Sequence, residues 1–546
     1  MTTKYLPWGV IGGIGLFAMT FIYWRGPDQN WDLFNYHYYA GYALIYGRFS
    51  IDIAAASLQT FLNPLPNLLT FGVLSHFSFP FNAWIILGVQ LLSLPLVLLI
   101  FQEMDHDFFS DKANMSGILG LLLSILAPLW WSELGTSFFD ATLTPVVYVG
   151  LLFGLRGIAR ATALQLPWSS LAIAGFAIGL AAGLKLTNAI FAVGLILAMI
   201  PLWSYSNIWR AVQYGIICTV GLAAGFAATS WWNVALARQW GSPFFPFYNA
   251  LFQSPYFEPI NFRDLRWKFH SFSEFFGFFK DAAFGTNKTS EFAFADVRLL
   301  IILLLFGTLT LAWVYRRILS KARRVHCPED IVRKAFLWFF CASFALWALF
   351  FAYQRYMIPL ELLAGIVIWV IGRELLRDGR AVSWLLAICI TLSLMTISVP
   401  DWGHKKPPIS SLPNHFGLQL PSALVNQPAD YLVTDVPNSY IFPFMHHDSR
   451  FLRVDFTPKI DGLIRQVLAQ NTTRPVRVLS REATAATVLD KWARFGFLPG
   501  SRPWHCWYFR SDIDSYVVCE VGAALGEEGL RPNGYNLFQN LLAKVT

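Results

Sequence analysis

Between Tyr5 and Val399 the sequence returns repeatedly to apolar runs long enough to cross a bilayer, and this repetition constrains the fold more than any motif does. A span needs about 20 mostly apolar residues to cover roughly 30 Å of hydrocarbon. Eleven such runs can be placed: Tyr5–Trp24, Asn82–Phe101, Met115–Trp131, Ala141–Gly157, Pro167–Leu184, Leu186–Trp203, Ala211–Thr229, Leu299–Tyr315, Ala335–Tyr353, Met357–Gly372 and Val382–Val399. A further stretch, Leu65–Phe79, is shorter and carries Pro66, Asn67 and His76; it reads as a helix packed at the membrane surface or only partly inserted. With 55% hydrophobic and 14% charged residues, lipid has to be the main solvent of this chain. The first run lacks a small-residue cleavage site and reads as a retained span with a cytoplasmic N-terminus. Gly12, Gly13 and Gly15 within it read as helix-packing residues rather than a nucleotide loop.

The formal charge of +8 does not point to nucleic acid, because the basic residues do not gather on one soluble module with stacking aromatics. They sit in short loops. With the N-terminus inside, the loops counted as cytoplasmic hold fifteen Lys and Arg, whereas the short external loops hold four: Arg25, Arg48, Lys185 and Arg355. This is the bias of the positive-inside rule. An odd number of spans then places residues 400–546 outside, with external loops 25–81, 132–140 and 230–298. In the tail, strand-like Tyr431–Asp435, Phe451–Val454, Val476–Leu479, Trp507–Arg510 and Tyr516–Val521 alternate with helical Ile460–Gln470 and Thr484–Phe495. The expected fold class is therefore mainly α: a polytopic transmembrane helical bundle (1–399) followed by a small C-terminal α/β domain (400–546). Cys506 and Cys519 lie on consecutive strand-like runs and can be bridged if that domain faces an oxidising compartment. Cys218, Cys341 and Cys389 lie within spans and read as packing residues, while Cys327 falls in a basic loop.

Polar groups are costly near lipid, so their placement is informative. After the first span come Asp28, Asp32, Asn35, Tyr36, His37 and Arg48 in an aromatic-rich stretch. On a helix starting at Asp32, residues Asn35, Tyr36 and Tyr39 share a side, and the amphipathic result suits the membrane interface. Asp32 reads equally as an N-cap, and Asp28 as a turn residue after Gly26-Pro27. The loop 132–140 carries Glu133 and Asp140, which share a face if the turn is helical. Lys185 and Arg355 are lone cations at the ends of spans; snorkelling explains such residues, and so does a shared phosphate. The aromatic, proline-rich stretch Trp231–Tyr256 suits a stiff wall or an interfacial lid. His446, His447 and Asp448 read as a solvated turn before a metal site. Nothing matches a Walker loop, a zinc-ligand pair or a nucleophile elbow.

An acid a few residues after the first span, an aromatic-rich helix with Tyr36 four residues later, a second acid pair after the third span, about eleven spans and an external C-terminal domain together resemble the GT-C superfamily of integral-membrane glycosyltransferases. The resemblance covers the whole chain in layout, and residues 28–64 and 133–140 in motif. It implies transfer of a sugar from a polyprenyl-phosphate or pyrophosphate donor to a glycan, lipid or protein acceptor, at the outer face of a bacterial inner membrane. It implies Asp32 as general base, with Asp28 as competitor. Glu133, Asp140, Asn35, Tyr36 and His37 would orient the acceptor or a metal, and Lys185, Arg355 and Arg48 would hold the donor phosphate. Family members often carry Asp-Glu where this chain has Asp32-Leu33, so the metal is open; a divalent cation, Mg or Mn, is the candidate cofactor. Two other classes fit a polytopic chain: a transporter or flippase of lipid-linked saccharides, and a non-catalytic envelope assembly protein. The transporter reading asks for mid-membrane charges and repeated halves, and the sequence shows no internal repeat.

Overall fold

The apolar runs become helices. The structure is a computed structural model in which residues 5–105, 115–163, 165–204, 207–319, 328–406, 414–470, 474–495 and 505–521 are described; Cys327 lies outside them. Among the described residues eight helices are long and apolar enough to cross a membrane: Leu6–Arg25, Phe81–Met104, Phe139–Thr162, Leu186–Trp203, Ile208–Ala227, Val297–Tyr315, Glu329–Phe350 and Gly379–Thr396. Gln354–Glu361 and Ala364–Leu376 form a ninth, bent by 51°. The remaining two expected spans are shorter helices, Met115–Ile125 and Trp168–Leu184. Each has a local reason to stop. Ala127 precedes Pro128, which pushes it out of the helical region to an extended conformation, and Lys185 is extended at φ −145°, ψ 109°.

Glycines let helices pack closely, as in one pair of the membrane unit. A Cβ at Gly175 or Gly179 would lie 2.1 Å from the carbonyl oxygen of Cys218 or Leu222, so Trp168–Leu184 and Ile208–Ala227 touch backbone to backbone. Gly12 and Gly13 do not behave this way. A Cβ there meets nothing within 4 Å, which corrects the packing role expected from their sequence.

The chain divides into two compact units. The first comprises Met1–Trp24, Trp84–Trp231 and Asp264–Trp402, and contains the membrane helices. The second gathers Arg25–Ala83, Trp232–Arg263 and Gly403–Thr546, so two segments that precede residue 400 pack with the tail.

The second unit is built on a five-stranded sheet of order β2-β1-β3-β5-β4, with β1 Asp430–Val433, β2 Arg450–Arg453, β3 Val476–Arg481, β4 His505–Arg510 and β5 Ser515–Val521. β1 pairs in parallel with β2 and β3, and the β4–β5 hairpin runs antiparallel to β3. All five expected strands are present. The first expected helix is Asp461–Ala469; the second is split into a 3-10 turn, Glu482–Val488, and Leu489–Ala493. Cys506 and Cys519 are register partners and are disulfide-bonded.

The segment after the first helix is part of this sheet architecture. Ile53 donates its amide to the Phe451 carbonyl at 2.9 Å and accepts from the Arg453 amide at 3.0 Å, extending the β2 edge by a parallel bridge. An exposed strand edge is a template for further pairing, and here the chain covers its own. Both faces of β1 are buried, which explains the uninterrupted apolar character of Tyr431–Val433. One face packs against Phe61, Trp232, Trp240 and Phe245. The other packs against Phe34, Tyr38, Phe416 and Tyr440.

Candidate active site

In the membrane unit, the break before Pro128 creates a short helix, Pro128–Glu133, whose two N-terminal amides need acceptors. Glu361, at the kink of the bent pair, supplies them: its carboxylate accepts from Leu129 N at 3.1 Å and Trp130 N at 3.0 Å. Arg298 lies 3.7 Å from the same carboxylate. Its guanidinium forks onto Asp296 at 2.8 and 2.6 Å and donates to the carbonyls of Leu123 and Ser124 at 2.9 and 3.1 Å. All three ionisable side chains are buried. This cluster fixes the helix that ends at Glu133, and the sequence reading did not find it. Glu361, alone in an apolar run, and the pair Asp296-x-Arg298 at the mouth of a span were the available signals.

Glu133, Asp140, Lys185 and Arg355 are brought together. Lys185 Nζ meets Asp140 Oδ1 at 2.6 Å, and Glu133 Oε2 accepts the Ala141 amide at 2.9 Å. Glu133 Oε1 and Asp140 Oδ2 are buried and make no hydrogen bond among the described residues. Burial pushes the Glu133 carboxyl well above the ordinary carboxylate range, Asp140 adds to the rise, and Arg355 and Lys185 oppose it.

Arg355 lies in a cage of rings. Its guanidinium carbon is 4.1 Å from the centroid of Phe138, 5.0 Å from Tyr353 and 5.2 Å from Trp402. Trp402 is in turn held by Ser132, its indole nitrogen donating to the hydroxyl at 2.8 Å. Lys185 Nζ is 4.9 Å from the Tyr356 ring. A pair of cations beside partly unsatisfied carboxylates, walled by aromatic faces, is chemically suited to a phosphate and its counter-groups.

Asp28, Asp32, Asn35, Tyr36, His37 and Arg48 belong to the second unit. Asn30, not Asp32, caps the helix: its side-chain oxygen accepts the Leu33 amide at 2.8 Å. Asp28 holds Asn30 in place, with Oδ1 and Oδ2 accepting from the Asn30 amide group at 2.8 and 2.7 Å. Asp32 itself is half-buried and makes no capping hydrogen bond. Leu33–His37 then forms a single π turn, with the Tyr38 amide reaching back to the Leu33 carbonyl. Such bulges accumulate at functional sites.

The expected interfacial helix is overturned here. Leu33, Phe34, Asn35 and His37 to Ala43 are buried within the second unit, where Phe34 meets Phe416 and Tyr440. Tyr39 turns inward and donates to Asp52 at 2.8 Å. Asn35 is fully buried, and its side-chain oxygen and nitrogen make no hydrogen bond among the described residues. Tyr36 stacks edge-on against His37 at 4.3 Å.

Arg48 is corrected more sharply. It is buried, forks onto Asp52 at 3.0 and 2.6 Å, and donates to the backbone carbonyls of His447 and Ser449. Its donors are committed to the fold, so it is not placed to hold a donor phosphate. His446, His447 and Asp448 form a turn in which His447 and Asp448 are exposed, with their ligand atoms within 4.8 Å of one another.

The fold is similar to that of ArnT from Cupriavidus metallidurans in its crystal structure bound to undecaprenyl phosphate: 16% identity, 96% of this chain and 100% of that chain covered, TM-score 0.52. The apo structure of the same protein gives 14% identity, 95% and 98% coverage and a TM-score of 0.47. No protein-family model and no curated protein matches the chain. At such identities the likeness is one of fold alone. The chain therefore has an ArnT-like fold, a multi-helix membrane module with a small α/β sheet, the architecture its sequence implied.

Proposed function

We propose that this protein is a membrane glycosyltransferase that moves a sugar from a polyprenyl-phosphate or pyrophosphate donor to an acceptor hydroxyl at the outer face of a bacterial inner membrane. The observation that carries the reading is the grouping of Lys185 and Arg355 with Glu133 and Asp140 in the membrane unit. It is supported by the fold likeness to a protein whose crystal structure holds undecaprenyl phosphate.

Asp32, half-buried just before the π turn Leu33–His37, is the proposed general base, with Asp28 as the alternative. It takes the proton of the acceptor hydroxyl as that oxygen attacks the anomeric carbon. The bond from the anomeric carbon to the phosphate oxygen breaks, and its electron pair leaves with the phosphate. Lys185 and Arg355 stabilise the charge that develops there. A divalent cation fits the chemistry of Glu133 Oε1 and Asp140 Oδ2, since Mg and Mn prefer oxygen ligands; when bound it would add positive charge beside the phosphate. Lys185 already supplies part of that charge at Asp140.

The test is reconstituted transfer from a polyprenyl-phosphate-linked sugar. The wild-type protein transfers, and Asp32→Asn, purified with an unchanged thermal transition, loses at least about 10²-fold. Full activity in Asp32→Asn would remove the base assignment. Absence of wild-type transfer from every such donor would remove the function.

A further inference from the structure

The segment between the second unit's Trp232–Arg263 stretch and the helix Val297–Leu319 contains a helix, Phe272–Phe284, that begins with a capping box. The Ser271 hydroxyl accepts the Glu274 amide at 3.1 Å, and the Glu274 carboxylate accepts the His270 amide at 2.8 Å. One face is buried: Phe275 and Phe279 pack on Phe344, and Phe278 on Trp347, with ring centroids 5.7 to 6.3 Å apart. The other face presents Phe272, Phe276, Lys280 and Phe284, spaced by four residues and therefore in one row. The three rings are 85%, 55% and 76% exposed. A water-facing helix does not leave such a row of phenylalanines uncovered.

The height of this helix is fixed by its attachments. Phe344 and Trp347 belong to the end of the span Glu329–Phe350. The Ala282 carbonyl accepts the amide of Asp296, one residue before the span Val297–Tyr315 begins. Ala295 bridges Ser398, two residues beyond the span Gly379–Thr396. The helix thus lies level with the ends of three spans, one of which itself exposes Leu304 and Leu311.

We infer that Phe272–Phe284 is an interfacial anchor whose partner is the phospholipid bilayer itself. The three rings enter the boundary between headgroups and acyl chains, and Lys280 extends its ammonium from between them to lipid phosphate. The interfacial helix that sequence reasoning sought after Asp32 lies here instead. This inference is independent of the proposed transferase activity.

Site-directed spin labelling tests it on the full chain in nanodiscs of phosphatidylethanolamine and phosphatidylglycerol, with the cysteines other than Cys506 and Cys519 replaced by alanine. Labels are placed by Phe272→Cys, Phe276→Cys and Phe284→Cys, and by Asp281→Cys as a water-facing control. These side chains are all exposed, so labelling does not open the core. The ratio of collision with oxygen to collision with a polar nickel chelate is expected to be on the order of tenfold higher at the three phenylalanine positions than at 281. A ratio equal to the control places the row in water and overturns the inference; exclusion of both reagents places it under protein and also overturns it. Position 276, at the centre of the row, decides if the three disagree.

Discussion

Arg48 and Arg355 look alike in the sequence, each a lone cation in a short connection, and the structure treats them in opposite ways. Around Arg48 every polar partner is internal: a carboxylate four residues on, two backbone carbonyls and the Phe451 ring. Around Arg355 stand three ring faces, and the Glu133 carboxyl interacts with it electrostatically. The first environment uses charge to hold a fold, and the second sets a cation among rings beside Glu133 and Asp140. Position in a loop does not separate the two roles; the presence of an acid at the right spacing does. Asp52, at i+4 from Arg48, was that signal.

The comparison can be broken most severely at Arg48. Arg48→Ala leaves Asp52, which burial already drives toward its neutral form, without its cation. Removing one partner of a buried pair typically costs about 3–5 kcal/mol, read as a lowered midpoint of chemical unfolding. Equal stability of Arg48→Ala and wild type would place Arg48 back among binding candidates. Glu361→Ala should cost a comparable amount: Arg298 keeps Asp296, but two amides of Pro128–Glu133 lose their acceptor, at about 1–3 kcal/mol for each buried unsatisfied group. The same unfolding measurement checks it, and no change would mean that the helix holding Glu133 does not depend on the kink.

The smallest effect concerns His415, partly buried in the second unit with Nε2 2.8 Å from the Asp28 carbonyl. Burial lowers its pKa below the ordinary 6.5. The folded state therefore favours the neutral ring, and the stability it contributes is present above 6.5 and lost as pH falls from there through the folded value. Thermal unfolding of wild type and His415→Gln between pH 7.5 and 5 should show a steeper loss in wild type; parallel curves would contradict it.

Much of the membrane unit was legible because a continuous apolar run specifies a helix locally, and the two shortened helices trace to Pro128 and Lys185. The sheet strands were legible for the same reason. What the sequence hid was long-range: Ile53 joins the edge of β2 across some 400 positions, and no local pattern announces that register. That hidden pairing also explains why the aromatic helix after Asp32 was misplaced at the interface, since its rings face Phe416, Tyr440 and Phe442 instead of lipid. The acids and cations of the membrane unit were found by their types, but the ring cage around Arg355 and the Glu361 cap were not, because both join residues more than 200 positions apart.

Equilibrium binding of undecaprenyl phosphate to the detergent-solubilised protein tests the proposed role of Lys185 and Arg355 in holding a lipid-linked phosphate, without knowledge of the sugar. Lys185→Ala and Arg355→Ala are each expected to weaken binding by roughly tenfold to a hundredfold, the worth of a charge-assisted hydrogen bond; unchanged affinity in both variants would contradict that role.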